Sequence, residues 1–135
     1  MVGRKPEAVE LLREVVRCRH TTVGHDHPST LHGIYRLSKL LVEEGHLEDA
    51  AAALGDAPTV AATALGSADT VSLQLTAVAE ELRASIAAVG SEACGAALRR
   101  LEQLVPQLAE RDGESAAHAK ALRESIERLK SRGGD

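Results

Sequence analysis

Two stretches of this chain read as versions of one another. "EAVELL…TTVGHDHPSTL" and "EDAAAAL…TALGSADTVSL" lie 42 residues apart, so that Ala8 matches Ala50, Val23-Gly24 matches Leu65-Gly66, and Thr30-Leu31 matches Ser72-Leu73. A third, weaker copy starts near Glu92-Ala93 and reaches its turn at Asp112-Gly113, with drifting spacing. A period of this length constrains the fold strongly, because each unit is one supersecondary element that buries its apolar face only on its neighbours. The unit here is a helix, a glycine turn and the start of the next helix.

The apolar spacing agrees. Ala8, Leu11, Leu12, Val15 and Val16 fall at i, i+3, i+4, i+7 and i+8, one face of a helix. The same spacing recurs through Leu31, Ile34, Leu37 and Leu41, and through Ala50, Ala51 and Leu54. It continues in Val71, Leu75, Val78, Leu82 and Ile86, then in Ala97, Leu98, Leu101, Leu104, Val105 and Leu108. A last stripe runs through Ala119, Leu122, Ile126 and Leu129. These stripes predict about six helices, over 6–22, 28–44, 47–65, 68–88, 91–110 and 115–131, in one domain covering 1–135. Pro6 and Pro28 suit a first helical turn, and Ser91 suits an N-cap. Gly24, Gly45 and Gly66 suit helix ends. Pro58, which removes the hydrogen bond to the Leu54 carbonyl, predicts a kink or a two-part helix within 47–65, with Gly55 adding to it. Pro106 predicts a bend or a shortening of the fifth helix, and "SRGGD" a frayed end. With 1% aromatic residues the core must come from Leu, Val, Ile and Ala, and alternating β-branched runs are scarce. The fold class expected is all-α, an antiparallel helix-pair solenoid.

The segment "VGHDHPSTLHGIYRLSKLLVEEGHLEDAAAAL" resembles a tetratricopeptide repeat of the kinesin light chain type. Gly24, His27, Pro28, Thr30 and Leu31 match that family's turn, and Leu37, Ser38, Leu41, Gly45, Leu47, Ala50 and Leu54 its helix-pair core. The match is good over about residues 7–55, fair to 88 and poor beyond. Pro58 departs from the pattern. The helical C-terminal domains of SET- and MYND-containing methyltransferases carry a similar signature, but nothing here resembles their catalytic or zinc-binding parts. The resemblance implies a protein-interaction scaffold, non-enzymatic and without a cofactor, whose groove takes a peptide or partner domain. The first helix of each pair lines that groove. This points to His32, Tyr35, Arg36, Lys39 and Glu43, and on the next such helix to Leu73, Thr76, Ala77, Glu80 and Arg83. Tyr35, the one aromatic residue, is the expected anchor, with half-buried packing between helices as the equal alternative. The Lys, Asn and Arg set with which chaperone-binding repeats clamp a C-terminal carboxylate is mostly missing. The chain opens on the second helix of a repeat, so Glu7–Val23 should show an apolar flank. Another domain or chain would cover it, by intramolecular docking or in a homo-oligomer, and the chain reads as part of a longer protein or an assembly. The charged last helix reads as a cap.

The remaining residues weigh against other classes. Net charge is −4 and the isoelectric point about 5.9, with no basic stripe, so nucleic acid is not an expected partner. No run approaches the ~20 apolar residues of a membrane span, and "MVGRKPEAVE" carries no apolar leader. A cytoplasmic location is expected. Cys18 and Cys94 each sit among apolar helical neighbours, where a free thiol acts as a small hydrophobe. Four imidazoles, His20, His25, His27 and His32, form the rival reading, a metal-binding helical domain. Their spacing fits no common zinc pattern, and His27 belongs to the His-Pro turn. Cys18 and His20, at i and i+2, face apart on a helix. No phosphate-binding loop or convergent catalytic set is present.

Overall fold

The computed structural model describes residues 5–87, 90–111 and 113–134, with side chains for 7–87, 90–111 and 113–131. Among these are seven α-helices and no strand: α1 (Lys5–Thr22), α2 (Pro28–Glu43), α3 (Leu47–Leu54), α4 (Ala57–Leu65), α5 (Thr70–Ile86), α6 (Glu92–Ala109) and α7 (Glu114–Gly134). The chain is all-α, as the spacing predicts. The expected helix end at residue 88, Asp112, residue 135, residues 1–4 and the side chain of Pro6 lie outside the described residues.

The turn before α2 explains the cluster of histidine, proline and threonine. Gly24 has φ +97°, a left-handed conformation open to glycine. His27 is extended, and its Nδ1 accepts a hydrogen bond from the Ser29 amide at 3.1 Å, so the imidazole caps α2. Pro28 occupies the first turn, where no amide hydrogen is needed. Thr30 Oγ1 donates to the Gly24 carbonyl at 2.7 Å and ties the turn to the helix, and Leu31 is fully buried. Forty-two residues later the design recurs: Gly66 has φ +94°, and the Asp69 carboxylate accepts from the Val71 amide at 3.0 Å. Leu73 is buried there, while Ser72, in the place of Thr30, finds no partner for its hydroxyl among the described residues.

Of the two forms expected within 47–65, a kink at Pro58 or a two-part helix, the structure has the second. The break falls at Gly55, with φ +50° and ψ −130°, and Asp56, and Pro58 sits in the first turn of α4, where it is tolerated. Ala51, expected inside, is exposed, whereas Ala50 and Leu54 are buried. Pro106 does not shorten α6, which runs on to Ala109. Ser91 caps α6 as expected, its Oγ accepting from the Cys94 amide at 3.2 Å.

α2, α5 and α7 lie side by side, with α5 between the other two. α3 and α4 pack behind α2 and α5, α6 packs behind α5 and α7, and α1 flanks α2. α5 therefore divides its apolar residues between two clusters. Leu75, Val78 and Leu82 join α2, α3 and α4, while Leu73, Ala77 and Ala84 join α6 and α7. Ile86 breaks the pattern at 59% exposure, because α5 ends there. α1 contributes Val9, Leu12 and Val16 from the edge of the core and leaves Leu11 68% exposed.

Candidate interaction surface

On α2, positions 32, 36, 39 and 43 follow one another at helical spacing, and the structure puts His32, Arg36, Lys39 and Glu43 on a partly open ridge. Lys39 Nζ lies 3.5 Å from Glu43 Oε2. A cleft of about 260 Å³ is lined by Arg36, Lys39, Leu40 and Glu43, with Leu12 of α1 and Glu114 of α7 at its sides. Tyr35 is different. The expectation of an outward anchor is corrected: its side chain has no exposed surface and packs between His32 and His118, at ring-centroid distances of 5.9 and 5.2 Å. Burial drives its phenol far above the ordinary range, with the nearby Glu114 carboxylate adding to the effect.

α7 meets α2 directly. Glu114 places Oε1 2.5 Å from His32 Nε2 and Oε2 3.0 Å from Arg36 Nε. Burial alone would raise this carboxyl; the hydrogen bonds from His32 and Arg36 outweigh it and hold Glu114 below the usual carboxylate range. One turn on, His118 is 1% exposed. Burial, reinforced by the Lys39 charge, lowers its pKa to about 4 against the partial opposition of Glu114, so the ring is neutral at neutral pH. Between them Gln74 Nε2 of α5 donates to Ser115 Oγ at 3.1 Å. Tyr35 Oη, Gln74 Oε1 and both His118 nitrogens are buried and have no partner among the described residues.

A second cleft, about 200 Å³, is lined by Val42, Glu81, Ser85, Ser125, Arg128 and Leu129, from α2, α5 and α7, whereas the first takes its lining from α1, α2 and α7. Burial pushes the Glu81 carboxyl up, while the Ser125 hydroxyl and the Arg128 charge work against it. Lys39 and Glu43 also act on Glu81, so the two clefts share the α2 ridge.

The α5 residues proposed from sequence face elsewhere. Glu80 is 4% exposed and accepts from Arg100 of α6 at 3.3 Å and from Arg83 at 2.7 Å. Leu73 and Ala77 belong to the core shared with α6 and α7, and Thr76 bonds back to the Ser72 carbonyl. On α5, Glu81 and Ser85, not Glu80 and Arg83, line the face shared with α2 and α7. The α7 residues were missed, although extending the stripe backward from Ala119 and Leu122 by helical spacing reaches Ser115 and His118.

The four histidines separate. His20 and His25 lie with ring centroids 5.9 Å apart, His27 caps α2, and His32 turns to Glu114. Among the described residues no group of three or more His, Cys, Asp or Glu is placed to hold a metal ion. Cys94 is buried with Sγ 3.7 Å from the Ala84 carbonyl, whereas Cys18 is exposed rather than part of an apolar cluster. Among the described residues, no helix is long and apolar enough to cross a membrane. Comparison with protein-family models, with curated proteins and with solved structures finds no match for this chain.

Proposed function

We propose that the chain is a non-enzymatic protein-interaction scaffold, a partial tetratricopeptide solenoid that holds a peptide segment of a partner protein on the face formed by α2, α5 and α7. The observation that carries this reading is the pair of clefts on that face. Both are lined mainly by charged and polar side chains, from helices whose apolar residues point into the core. An extended peptide presents unpaired backbone groups, and this face offers donors in Arg36, Lys39 and Arg128 and acceptors in Glu43 and Glu81. The solenoid part rests on the two turns built alike 42 residues apart and on the way α5 and α7 each pack on the elements before them. Two cysteines set far apart in the sequence, Cys18 and Cys94, suit a reducing, cytoplasmic setting.

Selection of a random peptide library against the chain, with Arg36→Glu/Arg128→Glu as counter-target, tests the proposal. Peptides that bind the wild type and lose binding to the double variant, itself folded by circular dichroism, are the expected result. Enriched peptides that bind both chains equally would place the surface elsewhere.

A further inference from the structure

We propose that this face takes an acidic peptide, and that the first turns of α7 occupy the peptide's place in its absence: Glu114 is the internal carboxylate that a partner's Asp or Glu displaces from Arg36 and His32. The proposal rests on the reading of the α2–α5–α7 face as the binding surface, and it names that surface's ligand chemistry and its control.

Three observations lead to it. First, His32 and Arg36, one turn apart on α2, approach the two oxygens of a single carboxylate, one each. A side-chain carboxylate of a partner offers the same two acceptors, and charge-assisted contacts of this kind are the strong ones. Arg36 remains 57% exposed beside Glu114, so an incoming acid reaches it before Glu114 leaves.

Second, the closing segment is held by the polar contacts of Glu114 and Ser115 and by the His118 ring against Tyr35. Glu114–His118 contributes no large aliphatic side chain, and the residues that anchor α7 in the core, Ala119, Leu122 and Ile126, all follow it. The segment can fray from Gly113, whose φ of +66° marks the turn into the helix, while the rest of α7 stays docked.

Third, closure strands polar atoms. Tyr35 Oη, Gln74 Oε1 and both nitrogens of His118 are buried at this one contact without partners among the described residues. Buried polar groups are nearly always satisfied, and a group of exceptions needs a reason. A closure that must reopen supplies it: opening returns these atoms to water or to the backbone groups of a bound peptide, which offsets the loss of the Glu114 contacts.

The test uses the full chain and three blocked hexapeptides, alternating Ala with Glu, with Gln or with Lys, titrated by calorimetry into wild type, Glu114→Gln and Arg36→Gln. The Gln substitution keeps the shape of residue 114 and removes its charge. The Glu peptide should bind best, about tenfold more tightly to Glu114→Gln than to wild type, since the Glu114 carboxylate competes for the same donors. Arg36→Gln should lose most of that binding. Without any peptide, hydrogen exchange over 116–121 should be faster in Glu114→Gln than in wild type, with 122–130 unchanged. Binding of the peptides with no difference between wild type and Glu114→Gln, or with no preference for Glu, would overturn this proposal alone. No binding of any peptide to any of the three chains, with no change in exchange on α2, α5 or α7, would overturn the groove reading and this proposal with it.

Discussion

At the scale of single residues, His118 carries the clearest consequence. The unfolded chain protonates this imidazole near pH 6.5, whereas the folded chain holds it neutral down to about pH 4, with Tyr35 and Lys39 of α2 and Glu114 of its own helix facing it. The unfolded state therefore binds more protons between these values, and stability falls as the pH drops through that window. Above pH 6.5 the contribution is constant. At pH 4 the loss should be roughly 2–4 kcal/mol. Urea unfolding at pH 7 and pH 4.5 measures it, and His118→Leu should lose distinctly less stability over the same range. Glu114 acts at lower pH, since its depressed pKa gives stability that is lost only as the carboxylate protonates. Tyr35 gives a second expectation. Its hydroxyl is buried without a partner among the described residues, so Tyr35→Phe should leave the melting temperature unchanged or raise it, whereas Tyr35→Ala should cost about 3–5 kcal/mol. An exposed anchor would tolerate both equally. The sequence shows Tyr35 as the one aromatic residue; it does not show that the ring pairs with a histidine 83 positions away (118 − 35).

At the scale of elements, the spacing located every helix and missed details set by single torsions. The core residues of α6 and α7 appear in the stripe as written, because a 3.6-residue period reports directly on which side a neighbour lies. The split between α3 and α4 hinges on Gly55, and Pro58 only begins the second piece. Pro58→Ala should therefore not join the two helices, and far-UV circular dichroism should show no gain in helix content. Gly55→Ala should cost about 1–2 kcal/mol, because an alanine at φ +50° is strained. On α5 the expected face was the wrong one. The helix is buried on nearly all sides between α2, α7 and the helices behind them, so its polar residues do not mark a solvent face. Glu80 and Glu81 are adjacent, and only the position of Arg100 on α6 shows which of them faces away from the groove.

At the scale of the whole molecule, the all-α architecture was legible because the repeated turn and the small-residue core leave few alternatives. The contact of α7 with α2 was not, since it joins His32 and Arg36 to a residue about eighty positions on and depends on how α5 sets the distance between its two neighbours. That contact turns a row of α2 side chains into a face with one end closed and one end open. The account also predicts a graded molecule: α1, packed only from one side, should open before α5 and α6, with Leu11→Glu nearly neutral and Leu101→Ala costing about 2–5 kcal/mol. Denaturation of the two variants compares them directly.

The most direct test of the central claim is nuclear magnetic resonance on the isotopically labelled full chain, titrated with the alternating Glu-Ala hexapeptide. The account predicts shifts concentrated at Arg36, Lys39, Gln74 and Glu81 and in the first turns of α7, with α3, α4 and the outer side of α6 unaffected. Shifts confined to α1 or to the outer side of α6, with the α2–α5–α7 face silent, would contradict it.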